Sequence, residues 1–260
     1  MLEIVIATRS ERGGREDNED ALRVGHAGQT WHLLLADGAG GHAGGAEASR
    51  RVVDAIERVL LTAAPGFGPG LLDAALQAAH AELQRAQHDA QGTQRMHSTV
   101  VALWIDVAHE RAVWSSVCDS RLYRLRYCAV DTVTVDDSVV QSMVEGGLLT
   151  PAQARHHPLK NQLVSALGMD DAIEPRTLAQ AVEIEDGDAF LLCCDGWWDA
   201  LNDAQILWTL EQAESPSQWL DAMQLEIEAQ ALPSQDNFSA IAVWIGDPSQ
   251  STQFNLGEGA

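Results

Sequence analysis

The chain has 260 residues, enough for one large domain or two small ones, and its 46% apolar share is that of a globular protein, not of a disordered or fibrous one. Thirty-eight acidic residues against 16 basic ones leave a formal charge of −22, and Lys160 is the only lysine. Without clustered positive charge the chain has no groove for a nucleic-acid backbone and no attraction to an anionic membrane; convergent carboxylates would instead favour bound divalent cations.

In chain order, Ile4–Ala7 reads as a short strand, and WHLLLA (Trp31–Ala36) as an apolar strand stopped by Asp37-Gly38. Ala46–Thr62 places Val52, Ile56, Val59 and Leu60 on one helical face. A PGFGPG loop (65–70) precedes a second helix, Leu71–Ala90, with Leu72, Ala75, Ala79, Leu83 and Ala86 at helical spacing. Thr99–Asp106, Arg111–Val117 and Arg121–Arg126 follow as strands, and the short polar breaks between them predict an antiparallel meander. Asp136–Val144 reads as a helix ended by Gly146-Gly147. Thr150-Pro151 with Gln153, and Ser215-Pro216 with Gln218, are cap-plus-proline helix starts. Ala189–Cys194 is a buried strand ending at Asp195-Gly196, and Phe238–Ile245 is a last strand preceded by Asp236-Asn237. Trp104, Trp114, Trp244 and one of Trp197-Trp198 read as core. No internal repeat interrupts this order, so one α+β domain over 1–247 is expected, with 248–260 a polar tail that frays.

Cys118, Cys128, Cys193 and Cys194 form no CxxC pair and read as buried thiols in a reducing compartment. No apolar stretch approaches the roughly 18 residues of a membrane span, and the N-terminus has no leader-like core, so a cytoplasmic location is expected.

Three aspartates sit where apolar strands meet turns: Asp37 after HLLLA, Asp195 after AFLLCC, and Asp236 before FSAIAVW. Carboxylates on strand ends are rigidly held yet reach solvent, and several brought together make an oxygen-rich site for a hard divalent cation. Three unrelated turn aspartates are the plainer alternative, since Asp-Gly and Asp-Asn are ordinary turn pairs. The glycines of DGAGGHAGG (37–45) keep bulk away from Asp37 and let a backbone carbonyl approach a metal. In GGREDNED (13–20), Arg15 could clamp a phosphate ahead of the acidic pair Glu19-Asp20, although such a charged run is commonly a solvated turn. The lysine-bearing phosphate loop, GxGxxG in a βαβ unit, HExxH and GxSxG are all absent.

Taken together, GGREDNEDA (13–21), LLLADGAGGHAGGAEAS (33–49), HSTVVAL (97–103), WSSVCDSRLYRL (114–125), TVDDSVV (134–140), LVSALG (163–168), GDAFLLCCDGWWD (187–199) and QDNFSAIAVW (235–244) resemble the metal-dependent protein serine/threonine phosphatase family, type 2C, in its compact bacterial branch. The resemblance implies a central β-sandwich of two antiparallel sheets flanked by α-helices, four layers in αββα order, with a two-metal site at one end. It implies two Mn²⁺ or Mg²⁺ ions sharing Asp37, with the Gly38 carbonyl, Asp195 and Asp236 as further ligands, and Glu19 and Asp20 bordering the second ion. Asp119 resembles the ligand of a weaker third ion, Arg15 the arginine that holds substrate phosphate, and Asn237 a residue that orients its neighbours. The implied reaction is attack of a metal-bridging water on phosphoserine or phosphothreonine in proteins, in a monomeric enzyme opposing a cognate Ser/Thr kinase, with type VI secretion control as one setting. A phosphatase of an anti-sigma-factor antagonist, or a non-catalytic phosphoprotein-binding module, are the alternatives. The chain departs from the family pattern at Cys118 (usually glycine), at Asp137 (usually histidine), at His97 (core, surface or cleft), and at Ala39, where a proposed general-acid histidine is absent and water is left to protonate the leaving group. The 140–180 segment falls where bacterial members carry a flap.

Overall fold

Strands that are apolar at every position need cover on both faces, and the computed structural model, which describes residues 2–40, 44–62, 66–87, 95–232 and 234–248, supplies it. One antiparallel sheet has the order β1 (Ile4–Glu11), β11 (Phe238–Ile245), β10 (Ala189–Cys193), β7 (Arg121–Arg126), β8 (Ala129–Val133). The other has the order β2 (Asp20–Ala27), β3 (Thr30–Ala39), β5 (Val100–Asp106), β6 (Arg111–Val117), β9 (Val182–Glu183), with β4 (His97–Ser98) pairing the end of β3. Leu33 and Leu35 of β3 face the inter-sheet core with Leu103, Phe190, Leu192 and Val243. Leu34 and Ala36 face the other way, onto α1 (Gly44–Thr62) and α2 (Pro69–Ala86). In the opposite sheet Leu191, Ala240 and Trp244 turn outward onto α6 (Asp203–Glu211) and α7 (Pro216–Glu228). Every residue in β10 and β11 is buried, which explains runs such as FLLCC that lack the alternation of a half-exposed strand. The result is the four-layer αββα arrangement of the expected α+β class.

Several local expectations change. Cys118–Ser120 carries the chain from β6 in one sheet to β7 in the other, so the three strands do not form a single meander. The helix expected from Asp136 starts at Val139, as α3 (Val139–Glu145), because Ser138 is its N-cap and accepts from the Gln141 N–H; Asp136 and Asp137 lie before it and pair with Arg121 and Arg176. The second helix starts two residues early, at Pro69, and ends at Ala86; residues 88–90 lie outside the described residues, as do 249–260 of the expected tail. Thr150 and Gln153 form a full capping box at α4 (Pro151–Arg155), whereas at α7 Ser215 caps Gln218 but the Gln218 side chain reaches back to the Glu214 N–H. Strands β2 and β8 were not expected. Their residues are only partly buried and polar positions interrupt them. Three of the four cysteines are buried as expected, but Cys128 is exposed, because it lies in the tight turn between β7 and β8 and not in a strand. No helix among the described residues is long and apolar enough to cross a membrane.

Candidate metal centre

Antiparallel order brings the ends of β3, β6 and β10 and the starts of β2 and β11 to one end of the sandwich. Asp37 lies near the end of β3, and its cross-strand partner is Asp20, the first residue of β2. Two carboxylates placed directly opposite repel each other, an arrangement that needs compensation. Asp119 sits in the β6–β7 crossing, Asp195 opens the one-turn helix α5 (Asp195–Trp198), and Asp236 precedes β11. Arg15, Glu19, Asp37, Gly38, Asp119, Asp195 and Asp236 all line one cleft of about 310 Å³. Asp20 does not line the cleft. It lies behind the lining, where its carboxylate, that of Asp37 and the Cys194 sulfur can offer ligand atoms within 4.8 Å of one another. The neighbours Glu19 and Asp20 therefore separate, one at the rim and one beneath it, as the start of a strand requires.

The backbone around these carboxylates is held from several sides. The Asp37 N–H donates to Thr99 Oγ1 at 2.9 Å, and its carbonyl accepts from the Thr99 N–H at 2.8 Å and from Ser98 Oγ at 3.0 Å. Thr99 Oγ1 also meets Ser120 Oγ at 2.6 Å, which ties Asp37 to the turn that carries Asp119. A Cβ at Gly38 would lie 1.9 Å from the Gly45 carbonyl oxygen, so only glycine admits the first turn of α1 so close to the end of β3. Asn237 orients the loop that bears Arg15: its Nδ2 donates to the carbonyls of Arg12 (2.8 Å) and Asp17 (2.9 Å), and its Oδ1 accepts from the Glu19 N–H (2.9 Å). Arg15 itself donates from Nη2 to Asp236 Oδ2 at 2.6 Å and stays largely exposed.

Charge repulsion and burial act together here. Burial, and then the charges of Asp20, Asp195, Asp119 and Asp236, hold the Asp37 carboxyl well above the usual range. Burial raises Asp20 to about 7 and Asp119 to about 8, with Asp195 adding to both. Asp195 rises to about 6 through burial and the charge of Asp236. Burial also raises Glu19, partly offset by Arg15. Asp20 Oδ1 and Asp195 Oδ1 are buried without a hydrogen-bond partner. Leaving such oxygens unmatched is costly, and oxygen donors of this kind suit hard divalent ions. The residues present therefore fit a metal centre.

Some participants were not legible in the sequence. The Cys194 thiol donates to Asp20 Oδ2 at 3.4 Å, a contact hidden within an apolar run. Both Trp197 and Trp198 are buried, and Trp198 is more than core: its Nε1 donates to the Asp119 carbonyl at 2.8 Å while Arg121 stacks on its ring at 3.6 Å. His97 lines the cleft, half-buried, its pKa lowered by burial and by Arg95. Asn161, Leu163 and Ala166 reach the cleft from the segment after α4.

A model of the protein phosphatase 2C family matches residues 9–238. The chain belongs to the protein phosphatase 2C family. Among curated relatives, the serine/threonine protein phosphatase PstP of Mycobacterium tuberculosis is 34% identical over 82% of this chain, and the match spans only 40% of that protein's length. The serine/threonine phosphatase stp of Listeria innocua is 27% identical over 90% of this chain and 88% of its own. A crystal structure of the M. tuberculosis PstP phosphatase superposes with a TM-score of 0.81 at 30% identity, over 95% of this chain and 100% of that one. A second structure, of the PstP catalytic domain in complex with two manganese ions, matches at 0.77 and 30% identity over the same shares. The phosphatase 2C fold thus accounts for the sandwich and for the position of the acidic cleft at its end.

Proposed function

We propose that residues 1–247 form a metal-dependent protein phosphatase that hydrolyses phosphoserine and phosphothreonine in proteins. The observation that carries this reading is the convergence of Asp20, Asp37, Asp119, Asp195 and Asp236 at one end of the sandwich, with buried carboxylate oxygens lacking partners and one arginine at the rim. Asp37, Asp195, Asp236 and the Gly38 carbonyl would hold two Mn²⁺ or Mg²⁺ ions, Asp20 and Glu19 would border the second, and Asp119 would serve a third. When bound, the ions supply a water nucleophile of lowered pKa and neutralise charge on the transferring phosphoryl group.

The chain's own residues do the rest. Arg15 offers a planar guanidinium that matches two phosphate oxygens at once, and Asp236 holds it at the cleft mouth. Thr99, Ser98 and Ser120 fix the Asp37 backbone, so the carboxylate does not reorganise during the reaction. The cleft is open to solvent, and water protonates the leaving serine or threonine oxygen. Asn161 and Leu163 face the cleft from the flap segment, where a phosphoprotein would lie. The serine/threonine phosphatase relatives PstP and stp, the second of similar length to this chain, support a role opposing a bacterial Ser/Thr kinase, and type VI secretion control is one setting to test. The free thiols Cys118, Cys193 and Cys194 in the interior support a reducing, cytoplasmic setting.

Hydrolysis of a phosphothreonine peptide and of p-nitrophenyl phosphate, with Mn²⁺, Mg²⁺ or EDTA, tests this. Turnover lost on EDTA treatment and on Asp37→Asn supports the reading. Folded protein that turns over nothing at any metal concentration would identify a binding module instead.

A further inference from the structure

The turn that carries Asp119 is held in an unfavourable conformation by a residue outside the cleft. Cys118 has φ +85°, in the left-handed region that favours glycine, and is almost fully buried. Asp137, nineteen residues on, brackets it: Asp137 Oδ2 accepts from the Cys118 N–H at 3.0 Å, and the Asp137 N–H donates to the Cys118 carbonyl at 2.7 Å. Arg176 Nε donates to Asp137 Oδ1 at 2.6 Å and fixes the carboxylate that does the bracketing. The Cys118 thiol donates to the Ser165 carbonyl at 3.0 Å, and the Val164 N–H donates to the Asp137 carbonyl at 2.9 Å. Both roots of the flap segment, 137–138 and 163–165, therefore close on the residue that precedes Asp119.

We propose that Asp137 is a positioning residue for Asp119: it holds Cys118 in left-handed backbone, and so sets the direction in which the Asp119 carboxylate enters the cleft. This rests on the reading of Asp119 as a cation ligand. A side chain at φ +85° persists only where its surroundings over-determine it, and the paired hydrogen bonds from Asp137 are what over-determine it here. Glycine at position 118 would need no such support. The role of Asp137 is therefore conditional on the residue at 118, which separates positioning from a general contribution to folding.

The test is Mn²⁺ titration of the intact chain, counting bound ions by the loss of the free-ion electron paramagnetic resonance signal. Wild type, Asp119→Asn, Asp137→Ala and Cys118→Gly would be compared with the Cys118→Gly/Asp137→Ala double variant. Asp137→Ala is expected to raise the Mn²⁺ concentration that fills the weakest-bound ion about tenfold and to leave the tighter ions unchanged. In the Cys118→Gly background the same substitution is expected to change it by less than about threefold. An equal effect in both backgrounds, or none in either, overturns the proposal. If Asp137→Ala lowers the melting temperature, recovery in the double variant supports the proposal and its absence refutes it. Should Asp119→Asn leave every bound ion in place, it is the assignment of Asp119 as a ligand that fails, and the positioning role falls with it. Loss of an ion on Asp119→Asn with no effect of Asp137→Ala sinks the positioning role alone.

Discussion

Removing cations from the acidic end should make the protein less stable as pH rises, against the usual behaviour of paired surface carboxylates. Asp20 goes from an ordinary value of 3.8 to about 7 in the folded chain, Asp195 to about 6 and Asp119 to about 8. The sign follows from linkage. A group whose folded pKa is raised binds its proton more tightly when folded, so its contribution is complete below the unfolded pKa and is lost as pH climbs through the folded one. The loss therefore falls between about pH 4 and pH 8. For Asp20 alone, moving from 3.8 to about 7 corresponds to about 4 kcal/mol once the carboxyl is ionised. Asp20, Asp119 and Asp195 share one repulsion with Asp37, so their contributions do not add. In a chain of this size, about 4 kcal/mol lowers the melting temperature by roughly 10 °C.

The assay is thermal unfolding in EDTA from pH 5 to pH 8.5, for wild type and Asp20→Asn. The variant shares every other titrating group, so the difference in slope isolates the site. Wild type should lose stability more steeply than Asp20→Asn as pH rises. Saturating Mn²⁺ should reverse the order and stabilise wild type most at alkaline pH, by about 2.7 kcal/mol at one hundred times the dissociation constant. Parallel slopes in EDTA, or wild-type stability that climbs through this window relative to the variant, would falsify the account of a cluster strained by its own charge.

Other consequences are simpler to check. Asp37→Asn should lower metal-dependent hydrolysis of p-nitrophenyl phosphate by about 10³-fold or more while the protein stays folded, and retention of a tenth of the activity would remove Asp37 from the centre of the site. Arg15→Ala should lower kcat/KM by about 10²-fold and weaken inhibition by inorganic phosphate, with Arg15→Lys recovering only part, because an ammonium cannot bond two oxygens in a plane; full recovery by lysine would argue for simple charge. Thr99→Val removes the bond to the Asp37 N–H and the Ser120 link, and should cost about 1–3 kcal/mol in urea unfolding and raise the Mn²⁺ requirement. Leu103→Ala, in the core between the sheets, should cost about 2–5 kcal/mol without changing that requirement.

How much of this was legible follows from how the chain is buried. β3, β10 and β11 lie in the middle layers, covered on both faces, so their sequences are unbroken apolar runs that can be read without knowing the fold. The same burial makes the ends of those runs conspicuous: a carboxylate can stand only where the strand leaves the core, which is why Asp37, Asp195 and Asp236 were readable from local sequence. β2 and β8 are half-covered and interrupted by polar residues, α6 has a weak apolar stripe, and none of the three stood out.

The contacts that tune the site are a different kind of information. Cys194 reads as one more apolar residue until β10 and β2 are brought together over 174 positions. Trp198 looks like core until its indole N–H is found on the Asp119 carbonyl. Cys118 and Asp137 read separately as departures from a family pattern, yet in the fold they are a single contact. Local sequence records what a residue must be to leave or enter the core. It does not record which distant residue meets it there, and at this end of the sandwich those meetings decide how five like charges are held within reach of one cleft.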